Sequence, residues 1–399
     1  MSFKLLSISS MYSGYLDSFY RKYTSTNELN YNEHYNLLLK DTTEFAGSYT
    51  LNFRNLGIDA QCIIANDSVL QNKWKKEAGI VSDDNSKIIF EQVNSFKPDI
   101  LWIEDLNHIN SEWFRKIREQ VKSISCIIAY HCAPYNKNQI DKLKLANIII
   151  TCTPGLKLDF EALGMKTYLV YHAFDTNLLS RLNEKEPVAG NNLVFSGSLI
   201  SGGNFHNSRI QLVESLLSNN LDLALYVTLE NTYKIKAKQA IYLLSDFLRR
   251  VKLEKVTNKF SIFEHGKTPV LSYSNELLSA NHNPVYGLDM YNLFRSAKIV
   301  LNIHIGVAGI YAGNMRMFEV TGVGSCLLTD NKRNLSDLFD NDREVVAYES
   351  PEDCISKARW LLDHEDERSQ IARAGQKKTI ESHTVESRCK SIIEIINNH

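Results

Sequence analysis

The stretch Asn314–Asp330, NMRMFEVTGVGSCLLTD, groups the residues best suited to chemistry. Arg316 and Glu319 lie three apart, so on a helix they share a face. Gly313 and Asn314 are helix-start residues, and an Asn side chain there can accept from the first free backbone N–H groups. Those N–H groups and the Arg316 cation suit an anionic phosphate. Glu319 can accept hydrogen bonds from two neighbouring sugar hydroxyls. The competing reading is a surface Arg–Glu pair on a helix that merely packs the sheet. A second grouping follows the apolar run Leu193–Phe195: Ser196–Gly197–Ser198, then Gly202–Gly203–Asn204. A small-residue loop of this kind lets backbone N–H groups approach a phosphate. His206 and Arg209 open the next helix and could reach the same anion. Two further groups end strands in the first half: Glu104 and Asp105 after DILWI, and His131 after CIIAY. These are acid–base candidates, and histidine has the pKa range of a general base. Each also reads as a solvated strand-end residue or a satisfied structural histidine.

The elements that must position these residues follow from apolar runs. Strands are expected at Lys4–Ile8, Ala60–Ala65, Asp99–Ile103, Cys126–Tyr130, Asn147–Cys152 and Thr167–Val170. Helices are expected at 33–55, 84–95, 111–122, 137–144 and 156–163, while Ser9–Tyr15 reads as a polar aromatic loop. After a polar linker at 176–191, strands recur at Leu193–Phe195, Leu221–Val227, Lys259–Phe263, Ile299–His304 and Ser325–Leu328. The helices of this half are 233–256, 290–296, 350–363, 365–381 and 385–398. In the stretch around Glu319, Met315, Phe318 and Gly322 form one apolar face. Gly322 and Gly324 end that helix, and Thr329–Asp330 lies at the carboxyl end of the strand after it. Alternating strands and helices imply mostly parallel sheets covered on both faces, which take ligands at the carboxyl edge.

Composition narrows the class. A chain of 399 residues is long enough for two or three domains. With 45 basic and 46 acidic residues nothing points to nucleic acid. Seven cysteines without a C-x-x-C pair argue against a disulfide framework and a zinc site, and fit a reducing cytoplasm. No apolar run approaches the roughly 18 residues of a membrane span. The N-terminus reads as a first strand and not a signal peptide. The basic helix at 233–256 reads as a solvated face, with peripheral contact at the inner face of the membrane left open. No G-x-G-x-x-G follows the first strand, which disfavours a dehydrogenase.

The series VFSGS, MYNLFRSAKIVLNIH, NMRMFEVTGVGSCLLTD, ESPEDCISKARWLLDHEDE and AGQKKTIESHTVESR resembles the GT-B glycosyltransferases, more narrowly the CgeB/YkvP-like group related to the glycosyl transferases group 1 families. The resemblance covers roughly residues 190–390 by motif and the first half only in architecture. It implies two Rossmann-like doubly wound domains facing across a cleft: an acceptor domain over 1–185 and a nucleotide-sugar domain over 186–382. A final helix over 383–399 would cross back to the first domain. It also implies transfer of a sugar from a nucleotide-diphosphate sugar to a glycan, lipid-linked glycan or other hydroxyl acceptor, as in polysaccharide biosynthesis. Glu319 matches the glutamate that binds the nucleotide ribose. Ser196–Gly197–Ser198 matches the first loop of the nucleotide domain, near the diphosphate, with Arg209 and Arg316 as its cations. Asn302 and His304 match the N-x-H before the donor loop, whose segment from Gly309 through Gly313 to Asn314 should approach the sugar. One departure stands out: Tyr311 replaces the second glutamate, eight positions before the first, that the large retaining families carry.

Helix N–H groups and arginines can stabilise a leaving diphosphate without metal. No cofactor and no metal are therefore expected. The single D-x-D, Asp340–Asn341–Asp342, precedes an apolar run and reads as a solvated turn. An inverting reaction needs a base on the acceptor hydroxyl, for which His131, Asp105, Glu104 and Asp17 are the candidates; a retaining reaction does not. The alternatives are a nucleotide-sugar epimerase or hydrolase of the same fold, which would turn over donor without acceptor, and a non-catalytic nucleotide-binding scaffold.

Overall fold

The computed structural model describes residues 3–186, 190–201, 206–251, 268–306 and 309–399. Near-continuous runs of Ile, Leu and Val form strands buried on both faces, as parallel sheets covered by helices require. The first sheet is built from β1 (Lys4–Ser9), β2 (Asp59–Ile64), β3 (Ile100–Ile103), β4 (Cys126–Tyr130), β5 (Ile148–Thr151) and β6 (Thr167–Leu169), in the order β2-β1-β3-β4-β5-β6. The second uses β7 (Leu193–Leu199), β8 (Leu223–Leu229), β9 (Asn281–His282), β10 (Ile299–Asn302), β11 (Cys326–Asp330) and β12 (Val346–Tyr348), in the order β12-β11-β10-β7-β8-β9. All described pairings between these strands are parallel, so within each sheet the carboxyl ends line one edge.

In each sheet the strand order reverses once, between β1 and β3 and between β7 and β10. Ligands of open α/β sheets bind outside the carboxyl ends at such a reversal. In the second sheet the reversal is also a physical gap. β10 pairs with β7 only at Leu193 and Val194, whereas β7 stays paired with β8 through Leu199. Ser196–Gly197–Ser198 therefore extends the strand instead of forming a loop, with one edge turned towards the gap. The adjoining Gly202–Gly203–Asn204 and the expected strand Lys259–Phe263 lie outside the described residues, as does the helix expected to 256 beyond Val251.

The segment between the sheets is packed. Phe174 is fully buried with Leu178, Tyr291 and Phe318. A Cβ on Gly322 would stand 2.3 Å from the Phe174 ring, so only glycine lets the helix Met315–Gly322 lie against it. Phe174 N–H donates to the His383 carbonyl at 2.9 Å, and Val385 N–H donates to the Phe174 carbonyl at 3.0 Å. The last helix, Val385–Asn397, then buries Val385, Cys389 and Ile392 against Leu5, Tyr49, Phe53 and Trp102 beside the first sheet.

Three expectations for local structure change. The helix expected over 33–55 is two, Tyr31–Asp41 and Phe45–Asn55. Thr42 Oγ1 accepts from the Glu44 N–H at 3.0 Å, a local bond that competes with helix continuation. The expected loop Ser9–Tyr15 enters a helix at Ser13, which buries Tyr15, Leu16 and Phe19. The expected linker holds a short helix, Leu178–Asn183. Asp340–Asn341–Asp342 is a turn, with Asp342 at φ 59°. Among the described residues no helix is long and apolar enough to cross a membrane.

Candidate active site

The helix Met315–Gly322 starts beside the β7–β10 gap. Asn314 sits at its cap with extended backbone angles but does not cap it. Its amide exchanges hydrogen bonds with Asn302 at the end of β10: Asn314 Nδ2 donates to Asn302 Oδ1 at 2.7 Å, and Asn302 Nδ2 donates to Asn314 Oδ1 at 3.2 Å. Asn302 Nδ2 also donates to Thr329 Oγ1 at 2.9 Å, which ties β10, β11 and the helix start together. The expected capping bond is replaced by this amide pair, because Asn302 offers both a donor and an acceptor in register.

One turn along, Glu319 is buried, which removes the surface-pair reading. Arg316 Nη1 donates to Glu319 Oε2 at 2.8 Å, and the two side chains retain only 18% and 8% of their exposure. The Tyr291 hydroxyl donates to Glu319 Oε1 at 3.3 Å. Arg316 Nη2 donates to the Ser196 carbonyl at 3.3 Å, across the gap, and its guanidinium lies 4.5 Å from the centre of the Phe294 ring. Arg209 enters from the other side and donates through Nε (2.9 Å) and Nη2 to the Ile303 carbonyl. Burial lowers the Arg209 pKa to about 10, and the neighbouring Arg316 charge adds to that. Two guanidiniums therefore bridge the splayed strands, each bonded to backbone carbonyls and close enough to raise each other's energy. Such a pair is a ready partner for an anion. His206 Nδ1 lies 3.1 Å from the Ser198 carbonyl.

His304 is placed differently from Asn302. Its side chain is fully buried, Nδ1 lies 2.7 Å from Asp330 Oδ1, and Nε2 has no partner among the described residues. Burial alone would raise Asp330, but its bonds to His304, together with Lys332, bring it down to about 2. The loop before Asn314 reaches the first domain. Gly313 has φ 149°, and a Cβ there would stand 2.6 Å from the Cys152 carbonyl.

Facing this, Glu104 occupies the reversal of the first sheet. It follows β3, and its Oε2 accepts from the hydroxyl of Ser9, the last residue of β1. Burial pushes its pKa up to about 7, with the Asp105 charge adding to the shift. Glu44, where the two helices separate, accepts the Tyr12 N–H at 2.9 Å. Burial takes it up to about 8, aided by the charges of Glu104 and Glu319. Tyr12 keeps 68% of its surface, yet its hydroxyl pKa is raised by its surroundings and by Glu44, Glu319 and Glu104. Carboxylates from both halves of the chain therefore act on one hydroxyl. Sequence reasoning missed Tyr12, Glu44 and Tyr291. Glu44 lay hidden inside what looked like one helix, and Tyr291 carried no signal besides its place in MYNLFRS.

The remaining candidates stand apart from this group. Asp105 is bound in its own turn: it accepts from the Ser10 hydroxyl and from Asn107 N–H at 2.8 Å, with His108 Nε2 at 3.5 Å. His131 is 6% exposed, packs 6.0 Å from the Phe160 ring, and leaves Nε2 buried without a partner among the described residues. Burial lowers its pKa. Asp17 is exposed on the helix Ser13–Lys22.

Two parallel six-stranded sheets joined by a packed segment and a returning C-terminal helix are the GT-B fold. HepE from Anabaena, in complex with UDP-glucose, superposes over 100% of both chains with a TM-score of 0.59 at 9% identity. Sucrose-phosphate synthase from Thermosynechococcus elongatus does so over 99% of this chain and 98% of its own, with a TM-score of 0.55 at 7% identity. A glycosyltransferase from Rickettsia africae covers 99% and 97%, with a TM-score of 0.53 at 11% identity. A family model described as glycosyl transferase-like matches residues 245–394, which include Asn302, Asn314, Arg316 and Glu319. The chain thus has the GT-B fold, with a glycosyl transferase-like match confined to its second half. No curated protein sequence matches it.

Proposed function

We propose that the chain moves a sugar from a nucleotide-diphosphate sugar to a hydroxyl of a glycan or lipid-linked glycan, with no metal on the donor diphosphate. The observation that carries this reading is the buried Arg316–Glu319 pair at the start of a helix, opposite Arg209 across the β7–β10 gap. UDP-glucose in HepE supports a nucleotide-diphosphate sugar as the ligand class. In this reading Glu319 accepts the ribose hydroxyls, and Arg316 and Arg209 hold the diphosphate against Ser196–Gly197–Ser198. As the bond from the anomeric carbon to the diphosphate breaks, charge grows on the leaving oxygens. In this reading the two guanidiniums and the first N–H groups of the helix stabilise that charge. Asn302 and Asn314 set the position of that helix start. His304 and Asp330 stiffen the ends of β10 and β11.

Glu104 is the group best equipped to take the acceptor proton. It stands at the reversal of the acceptor sheet, and its pKa of about 7 suits a base near neutrality. Ser9 orients it, and Glu44 and Tyr12 complete its surroundings. His131 and Asp105, the other candidates, would act only through movement away from Phe160 or out of the Asp105 turn. The chemistry belongs at the cytoplasmic side, where nucleotide sugars are available, with an acceptor presented in solution or at the membrane face.

A thermal-shift screen against nucleoside diphosphates and their sugars, with and without chelator, tests the proposal. Ligand bound only by the folded chain raises the melting temperature. A selective rise with one nucleoside diphosphate, unchanged by chelator, is expected. No rise with any of them would leave the cleft residues without their assigned roles.

A further inference from the structure

We propose that Cys132, Cys152 and His172 bind one zinc-class divalent ion at the carboxyl edge of the first sheet. These residues form a cluster in which one ligand atom from each lies within 4.8 Å of the others. The cluster follows from the topology. β4, β5 and β6 are parallel neighbours, with Tyr130 opposite Ile150 and Thr151 opposite Leu169. Cys132 and Cys152 each lie two residues beyond a paired position, so their side chains meet across the strand ends. His172 closes the group from the end of β6. The spacing from 132 to 152 and from 152 to 172 is twenty residues in both cases, one β-α unit per ligand.

The chemistry of the donors selects the ion. Two thiolates and an imidazole suit zinc, and a tetrahedral ion with bonds of about 2.3 Å to sulfur and 2.0–2.1 Å to nitrogen holds its ligands roughly 3.5–3.8 Å apart. From separations of up to 4.8 Å, the contraction needed is therefore about 1.3 Å at most. Cys152 is 3% exposed, while Cys132 and His172 are half-buried and leave a route of entry. The Tyr130 hydroxyl lies 3.2 Å from His172 Nδ1 and holds the ring, as outer partners of metal-binding histidines do. Three protein ligands leave a fourth position for water or a substrate oxygen.

The position gives the ion a consequence. The Cys152 carbonyl is the atom against which Gly313 packs, and the Tyr171 hydroxyl accepts from Asn334 Nδ2 at 3.1 Å. The ligand-bearing strand ends therefore abut the loop that leads to Asn314. An ion here would fix the seam between the two domains without touching the donor diphosphate.

The test uses the full chain, purified and kept under reductant. Titration with Co2+ should produce a sulfur-to-cobalt charge-transfer band that saturates at one ion per chain, and Zn2+ should abolish the band. Zn2+ should also raise the melting temperature. Cys132→Ser, Cys152→Ser and His172→Asn should each weaken the ion at least tenfold. Their thermal shift with nucleoside diphosphate should persist, which shows that they fold. Absence of a band and of a zinc-induced shift in the wild-type chain would overturn the proposal. So would an intact mass two hydrogens lower, with a Cys132–Cys152 cross-linked peptide, in chain isolated without oxidant.

Discussion

Replacing Glu319 by alanine should separate the two ligand contacts proposed for neighbouring Glu319 and Arg316. Glu319 is 6% exposed and accepts from Arg316 at 2.8 Å and from Tyr291 at 3.3 Å. Loss of charged hydrogen bonds to ribose hydroxyls should weaken a nucleoside diphosphate by about 1–3 kcal/mol, or roughly 5- to 150-fold in Kd. The same change removes a negative charge from Arg316, which keeps the Ser196 carbonyl and the Phe294 face. Arg316 is then freer to attract phosphate. Inorganic pyrophosphate, which has no ribose, should therefore bind the variant as well as or better than the wild type. Calorimetric titration of both ligands into both proteins, at two salt concentrations, reads the two effects with opposite signs. Glu319→Gln should fall between, because it keeps one acceptor and loses the charge. Unchanged nucleoside diphosphate affinity in a folded Glu319→Ala chain would refute the ribose assignment. Parallel loss of both ligands would show instead that Glu319 only orients Arg316.

Glu104→Gln should lower transfer about 10²–10⁴-fold and abolish the limb of the pH–rate profile near the Glu104 pKa of about 7; a limb that survives the substitution would assign the proton to the leaving diphosphate. Glu44 has its pKa raised from 4.5 to about 8, mainly by burial, so the stability it contributes is complete below about pH 4.5 and is lost as pH rises through about 8. Glu44→Gln should therefore melt above the wild type at about pH 8.5 and with it at about pH 4.5, and equal melting at both pH values would contradict a raised Glu44 pKa. Gly313→Ala should destabilise by about 1–3 kcal/mol in urea titration, since its Cβ would meet the Cys152 carbonyl at 2.6 Å in a left-handed conformation. An unchanged midpoint would mean that the loop before Asn314 does not press on the first domain.

Much of the architecture could be read from residue type and spacing. CIIAY, NIIITC and IVLNIH are short apolar runs between helices, and parallel sheets bury such runs on both faces. Arg316 and Glu319 were legible as a pair because three residues on a helix bring side chains together. Their burial was not legible, because it depends on Tyr291 and Phe294 arriving from a different helix. Glu44 was hidden because helical periodicity runs through Thr42–Thr43, where the break rests on one local hydrogen bond. His131 looked like a base at a strand end; which way its ring turns was decided by Phe160, on a helix that follows the next strand.

The amino-acid sequence by itself determined two doubly wound α/β units and the spacing that puts a cation and a carboxylate on one helical turn, since both follow from local periodicity. Only the tertiary structure decided which residues share a cleft. The β7–β10 gap, the joining of Ser9 to Glu104 and the meeting of Cys132, Cys152 and His172 all arise where non-adjacent or successive strand ends are brought into register. The electrostatics follow from the same assembly. Glu44 and Glu104 acquire their raised pKa values because packing removes water from carboxylates that separate segments bring close together, and residue spacing carries no record of that.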